Sequence, residues 1–300
     1  MPAPLIARVL PDVSGLHKSF DYLVPPELAD RVRVGTVVRV PLHGRRVGGW
    51  VVGLGDEAAE GLSLKPIAKV TGWGPPADLV DLASWAAWRW AGPERSFLAT
   101  ASPAGAVAGL PAAARPPAPV PAPLDRLGLA ALDVGRAVVR LPPAVDPLGI
   151  VLAAAGRGDT LVVTPSVDLA RLLGARLRRA GVPVALAPRD WAPAAAGTTV
   201  VIGARAAAWA PMPRLGAVVV LDEHDEALQE ERAPTWHARD VAIERARRAG
   251  VPCVLVSPSR RWRPSAGDGS SPRPGPRSGR AGRSSRSSTG AGRHPGRPRS

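Results

Sequence analysis

The run from Leu215 to Arg239, LGAVVVLDEHDEALQEERAPTWHAR, leaves this chain few folds to choose from. Ala217 to Val220 is a short apolar stretch with three adjacent valines, which suits a strand buried on both faces of a parallel sheet. Asp222, Glu223, His224 and Asp225 follow at once. A buried strand that ends in an acidic cluster is how a nucleotide site can place carboxylates beside a metal ion, because ligands of open α/β sheets bind outside the carboxyl ends of the strands. An acidic, solvated strand-to-helix turn fits the same spacing.

Around that run the pattern alternates between strand and helix. Thr160 to Thr164, Val182 to Ala187, Thr199 to Ile202 and Cys253 to Val256 read as strands. Ser166 reads as the cap of a helix with Leu169, Leu172, Leu173 and Leu177 on one face, and Trp236 to Ala249 as a helix stopped by Gly250. Such alternation predicts a doubly wound parallel α/β sheet, here an incomplete one, since the pattern ceases just after Val256.

The N-terminal part follows a different rule. Leu5 to Leu10, Phe20 to Val24, Val37 to Leu42, Val47 to Leu54 and Lys65 to Thr71 read as short strands divided by turn signals such as Pro25-Pro26 and His43-Gly44. They predict a small β-barrel-like domain. Pro75-Pro76 then opens a helix with Leu79, Leu82, Ala83, Ala86 and Trp90 at helical spacing. Trp85 and Trp88 add bulk to it, and three Trp on one helix read as packing anchors rather than base-stacking platforms. From Pro103 to Pro123 the chain is nearly all Ala, Pro, Gly and Val, the composition of a semi-rigid linker. The expected organisation is therefore a β-rich domain over residues 1–102, a Pro/Ala linker over 103–127, an α/β lobe over 128–257 and a tail over 258–300.

Charge is unevenly spread. The formal net charge is +14, and residues 258–300 hold eleven Arg against one acid, Asp268, so most of the excess lies in the tail. From residue 259 onward there is no Leu, Ile, Val, Met, Phe or Tyr, so little there can offset the entropy of ordering, and a disordered basic tail is expected. Its Arg, Ser, Pro, Gly and Ala are also what GC-rich DNA encodes when read out of frame, the reading we favour over a nucleic-acid-binding tail. Cys253 is the single cysteine, which excludes disulfides and zinc sites built from cysteine pairs. Within an apolar strand it reads as core. That cysteine usage suits a reducing, cytoplasmic setting; the N-terminus does not have the pattern of a signal peptide, and no apolar run reaches the length of a membrane span, so no span is expected.

A nucleotide site also needs a phosphate cradle, a glycine-rich loop with a lysine that reaches the β and γ oxygens. The chain has only three lysines, Lys18, Lys65 and Lys69, and the α/β region therefore has none. After the expected strand Ala137 to Leu141 the sequence is Pro142-Pro143-Ala144-Val145-Asp146-Pro147-Leu148-Gly149, and proline lacks the N–H that such a cradle uses. Gly156-Arg157-Gly158-Asp159-Thr160 precedes a strand instead of a helix, the wrong order. His224 and His237 near the acidic cluster lack the short spacing of a metal site.

Taken together, these residues resemble a known family. Lys18 to Pro25 (KSFDYLVP), Val34 to Pro41 (VGTVVRVP), Gly49 to Val52 and Leu64 to Ile67 are similar to the 3′-DNA-binding domain of the PriA family of replication-restart helicases, also called primosomal protein N-prime. Gly203 to Ala207, Trp209 to Pro211, Asp222 to Asp225 and His237 to Asp240 resemble that family's RecA-like motor lobe in the same order. The resemblance implies that the first domain captures the 3′ end of DNA at a fork, through the residues at Phe20, Asp21, Tyr22, Gly44 and Lys65. Asp21 would accept a hydrogen bond from the terminal hydroxyl, Tyr22 or Phe20 would stack on the last base, and Lys65 would face a phosphate.

The departures from the family matter as well. With His224 on the family histidine, Leu221 stands at the magnesium-binding aspartate and Asp222 at the catalytic glutamate, so Asp222, Glu223 and His224 form a degenerate motif. A winged helix, the cysteine-rich zinc region and the second motor lobe have no counterpart here. ATP and zinc, expected for the family, thus lack their motifs, and the chain resembles the degenerate form found in some actinobacteria, truncated as well. The expectation is a replication-restart DNA-binding protein for forked or primed DNA with a 3′ end, without ATPase or helicase activity. The alternatives are an active ATP-dependent 3′–5′ DNA helicase and a non-catalytic scaffold for primosome partners. Partners would be DNA and, beyond it, primosome and single-stranded-DNA-binding proteins, with no membrane.

Overall fold

The computed structural model describes residues 4–56, 64–115 and 125–258. Residues 259–300 of the expected tail and residues 116–124 of the expected linker lie outside them.

The first sheet is antiparallel. Its strands are β1 (Ile6–Pro11), β2 (Phe20–Leu23), β3 (Val37–Leu42), β4 (Arg45–Gly55) and β5 (Lys69–Gly72), in the order β2-β1-β4-β3-β5. Four of the five lie within two residues of the expected strands. The fifth begins four residues later, because the chain before it has another task. Lys65 O accepts from Leu23 N at 3.0 Å and Ile67 N donates to Leu23 O at 2.9 Å, so residues 65–67 run beside the free edge of β2. Ala68 N then donates to Arg39 O at 2.9 Å and carries the chain over to β3. One face of this sheet buries Ala7, Val9, Tyr22, Val38, Val40 and Val51 together with Ile67. Gly35, at φ +90°, lies so close to Pro75 that a Cβ there would overlap the Pro75 carbonyl oxygen.

Two helices follow, α1 (Ala77–Arg89) and α2 (Glu94–Ala101). They do not stay with the first sheet alone. Leu79, Leu82, Phe97 and Leu98 share a single core with Leu10 and Trp50 of the first sheet and with Val218, Val220, Trp209 and Val241 of the α/β part. The described stretch of the expected linker is also pinned at both ends. Val107 O accepts from Trp73 N at 2.8 Å, Ala114 N donates to Gly197 O at 2.9 Å, and Arg115 bonds Asp159 at 3.2 Å. The described residues accordingly belong to one compact unit.

The second sheet is parallel, as the strand–helix alternation predicts. After α3 (Arg126–Asp133) come β6 (Arg136–Arg140), α4 (Leu148–Arg157), β7 (Asp159–Val163), α5 (Val167–Arg179), β8 (Val184–Leu186), α6 (Trp191–Ala196), β9 (Val200–Gly203) and β10 (Leu215–Val220). A small antiparallel ribbon of β11 (Gln229–Glu230) and β12 (Trp236–His237) leads to α7 (Ala238–Ala249) and β13 (Cys253–Ser257). The strand order is β6-β13-β10-β7-β9-β8. In β10, side chains alternate between two cores: Ala217 and Val219 face α3, α4 and α5, whereas Val218 and Val220 face α1, α2 and α7. All four are at most 1 % exposed, and each valine contributes about 1.5–3 kcal/mol of burial, which is why this run dictates a two-sided sheet.

Local signals hold at most ends. Ser166 Oγ accepts from Leu169 N at 3.1 Å and caps α5, and Gly250 stops α7 in the left-handed conformation at φ +66°. One expectation fails: Leu172, placed on the apolar face of α5, is 57 % exposed, and Ala170 and Gly174 take the inner positions beside Leu173 and Leu177. Small residues let α5 sit close to the sheet, and Leu172 is rotated outward. No helix among the described residues is long and apolar enough to cross a membrane.

Candidate functional site

β2 sits at the edge of the first sheet and alternates as an edge strand does. Tyr22 faces the core at 4 % exposure, and its hydroxyl donates to Pro41 O at 3.2 Å. Burial pushes its phenol above the usual range. The Tyr22 ring is therefore a wall of the core, closed to a stacking base, and only Phe20 is left for that part. Phe20, two residues back on the same face, is half-buried, with the Lys18 ammonium 5.1 Å from its ring centroid. Asp21 points the other way. Its Oδ1 accepts from Arg8 Nε at 3.3 Å, and the pair borders a shallow hollow of about 100 Å³ lined also by Ile6, Gly53 and Leu54.

The other two expected residues approach the same edge through the backbone. Lys65 is exposed, and its carbonyl bond to Leu23 fixes it beside β2. Gly44, at φ +77°, and His43, at φ +46°, form the two-residue turn between the paired Leu42 and Arg45. Two left-handed residues in such a loop make the type I′ turn that suits the twist of a hairpin, and glycine serves it without strain. Tyr22 ties the base of this turn to β2 through Pro41. A Cβ at Gly44 would meet nothing within 4 Å, so the turn presents open backbone, with Arg45 and Arg46 exposed behind it.

The structure thus gathers Phe20, Asp21, Tyr22 and Lys65 at one edge and links Gly44 to it, but it puts Asp21 and the Tyr22 ring on opposite faces. Arg8 is the residue sequence reasoning missed. Its signal was a single charge in the apolar run Ile6-Ala7-Arg8-Val9-Leu10, which marks the outward face of β1.

The acidic cluster past β10 is mostly occupied by the fold itself. Leu221 is 1 % exposed and belongs to the core, while Asp222 adopts φ +47°, a costly conformation for a residue with a Cβ. Burial pushes the Asp222 carboxyl above its usual range, although nearby His224 opposes this. Glu223 is 2 % exposed; its Oε2 accepts from Arg239 Nη1 at 2.9 Å and its N–H donates to Val256 O at 2.9 Å. His224 Nδ1 lies 3.3 Å from Ser257 Oγ. Asp225 caps the short 3-10 turn Glu226–Leu228 by accepting from Ala227 N at 2.8 Å. His237 caps α7, accepting from Arg239 N. Among the described residues no group of three or more His, Cys, Asp or Glu side chains lies close enough to hold a metal ion. Cys253 is 3 % exposed, and burial pushes its thiol to about 12, which removes it as a nucleophile at neutral pH.

The loop after β6 enters α4 at Leu148. Leu148 N donates to Asp146 Oδ1 at 3.0 Å, and Arg176 bonds the same carboxylate. The first turn of α4 is thus met by the chain's own acid where a phosphate cradle would need free N–H groups.

Comparisons with known proteins cover both parts of the chain. Residues 8–103 match the family model of the PriA 3′DNA-binding domain (3′BD). A protein of Mycobacterium tuberculosis named probable replication restart protein PriA is 32% identical over 276 residues, which cover 81% of this chain and 42% of the relative. The Mycobacterium leprae protein of the same name is 31% identical over 279 residues, 81% of this chain and 43% of the relative. Bacillus subtilis replication restart protein PriA is 42% identical over 57 residues, 19% of this chain and 7% of its own length. The chain spans less than half the length of the mycobacterial relatives it matches. With its residues 8–103 on the 3′DNA-binding domain and most of its length on the mycobacterial proteins, the chain belongs to the family of replication restart protein PriA.

Proposed function

We propose that this chain binds forked or primed DNA through the 3′ end of a strand during replication restart, and does so without ATPase or helicase activity. The observation that carries the reading is the edge of the first sheet, within the stretch matched to the 3′DNA-binding domain. There Asp21 is a partly exposed carboxylate beside a small hollow, with Phe20, Lys65 and the open turn at Gly44 near its strand. In this reading Asp21 accepts the terminal 3′ hydroxyl, exchanging part of its bond to Arg8. Phe20 stacks on the last base, and Tyr22 acts through Pro41 as the support of the Gly44 turn. Lys65 and the exposed Arg45 and Arg46 meet phosphates and add a salt-dependent component that is blind to sequence.

We read residues 1–102 as the end-binding part, 103–127 as the connection and 128–257 as a RecA-like lobe that does not fit ATP. That lobe has no lysine, has prolines at 142, 143 and 147, and meets the start of α4 with Asp146. At the end of β10 Leu221 is core and Glu223 is held by Arg239. Cytoplasmic location and contact with primosome proteins follow from the same reading.

The test is binding of the full chain to a fork with a free 3′ hydroxyl and to one whose 3′ end is blocked by phosphate. The free end is expected to bind more tightly, and Asp21→Ala to remove a preference of roughly tenfold or more, the worth of one hydrogen bond to a charged group. Equal affinity for the two forks, with no effect of Asp21→Ala, overturns end binding. DNA-stimulated ATP hydrolysis by the purified chain overturns the inactive lobe and returns the helicase reading.

A further inference from the structure

Arg245 lies on α7 at 4 % exposure, and the fold satisfies only part of its guanidinium. Nη1 donates to Ala208 O and to Ala210 O, both at 2.9 Å. Nη2 is buried too, and it has no hydrogen-bond partner. Burial pushes the group down to about 10 from an ordinary 12.5, and Asp78, at the start of α1, opposes that shift. A buried charged donor without an acceptor is costly, so the place it occupies is one where an added acceptor binds with advantage.

Arg245 lines a hollow of about 530 Å³ together with Asp78, Asp81, Leu82, Met212 and Leu215. Its size is that of a small-ligand site. Leu82 and Met212 are buried and supply an apolar surface, and Asp78 and Asp81 are exposed and share one side of α1 at a spacing of three. Arg214 and Arg248 also line it, but both are engaged elsewhere, Arg214 with Asp159 at 3.2 Å and Arg248 with Glu244 at 2.8 Å. The hollow therefore combines carboxylates, an incompletely satisfied guanidinium and an apolar wall.

Charge narrows what fits. A polyanion or an acidic peptide meets repulsion from Asp78 and Asp81, and a polyamine meets it from three arginines. A purely apolar molecule leaves Arg245 Nη2 as it is. A zwitterion answers both signs at once, because Arg245 and Asp78 are close enough to influence each other's charge. We propose that this hollow binds a free α-amino acid with an apolar side chain. Its carboxylate accepts from Arg245, its ammonium donates to Asp78 and Asp81, and its side chain packs on Leu82 and Met212. Bound there, it would bridge α1 to α7 and stabilise the seating of one on the other.

The site shares no residue with the edge at Asp21 and is tested without DNA, so it stands or falls apart from end binding. The experiment is calorimetric titration of the full chain with L-leucine, L-isoleucine, L-methionine and L-phenylalanine, with melting temperature as a second readout. At least one is expected to bind and to raise the melting temperature. For L-leucine, 4-methylpentanoate lacks the ammonium and isoamylamine lacks the carboxylate. The analogue of the tightest amino acid without either group is expected to bind roughly tenfold or more weakly, the worth of a hydrogen bond to a charged group. Arg245 is held by Ala208 and Ala210, so its removal would disturb the fold. The variant is therefore Asp78→Asn with Asp81→Asn, both at the surface, which should keep the wild-type circular dichroism and lose at least about tenfold in affinity. No binding of any of the four amino acids, single-charge analogues that bind as tightly, or a double variant that binds like wild type each overturns the proposal.

Discussion

Glu244 lies on α7 at 8 % exposure and accepts from Arg247 Nη2 at 2.7 Å, Arg247 Nε at 2.8 Å and Arg248 Nε at 2.8 Å. The Arg247 hydrogen bonds, helped by Arg248 and opposed by partial burial, hold its carboxyl down at about 2 against an ordinary 4.5. At about 1.4 kcal/mol per pH unit, that gap sets a ceiling of roughly 3.4 kcal/mol. The Arg247 side chain is 68 % exposed, and solvent screening of so open a partner reduces the contribution to about 1–2 kcal/mol. Because the folded-state value is depressed, the stabilisation is present above pH 4.5 and is lost as pH falls through about 2. Glu244→Gln keeps the shape and removes the charge. Urea unfolding followed by circular dichroism should find the variant about 1–2 kcal/mol less stable at pH 7 and equally so at pH 6. By pH 3 the gap should shrink to less than about half. A difference that does not change with pH, or none at pH 7, refutes the ion-pair account of Glu244.

Two further perturbations act on the backbone. Gly35→Ala places a methyl group onto the Pro75 carbonyl at a left-handed φ, and is expected to cost at least about 3 kcal/mol, from strain plus displacement of the segment before α1. Unfolding midpoints within error of wild type would contradict that close approach. Asp222→Gly should stabilise the chain by about 1 kcal/mol by relieving the φ of +47° and removing a half-buried carboxyl, measured as a rise in melting temperature; a fall would mean that the Asp222 side chain supports the loop.

Much of this protein can be read from one dimension. The valine run of β10, the Ser166 cap, the Gly250 stop and the His43-Gly44 turn are local signals, and local signals survive because they depend on backbone preferences and on nearest neighbours. The succession of short strands first and a parallel strand–helix alternation later followed from periodicity in the same way, whereas the antiparallel pairing of the first sheet came from the structure. Candidate residues near Asp21 came from matched motifs, and their strand was placed correctly by alternation.

What only the tertiary structure decided concerns partners far apart in sequence. Alternation says that Asp21 and Tyr22 face opposite ways; packing decides that Tyr22 is the inward one, bonded to Pro41, and that Arg8 answers Asp21. Three tryptophans on α1 and at its end looked alike in sequence, yet Trp85 and Trp90 pack beside a core that spans both sheets, and Trp88 is left in solvent. The acidic run after β10 fitted a ligand set or a solvated turn equally in sequence, and the fold gave Glu223 to Arg239 and Asp225 to a cap. Sequence fixes which side chains can bond and which face of an element they share. Which partner each one meets depends on how the elements dock, because burial rewards the packing of whole faces and charges then pair with whatever that packing brings near.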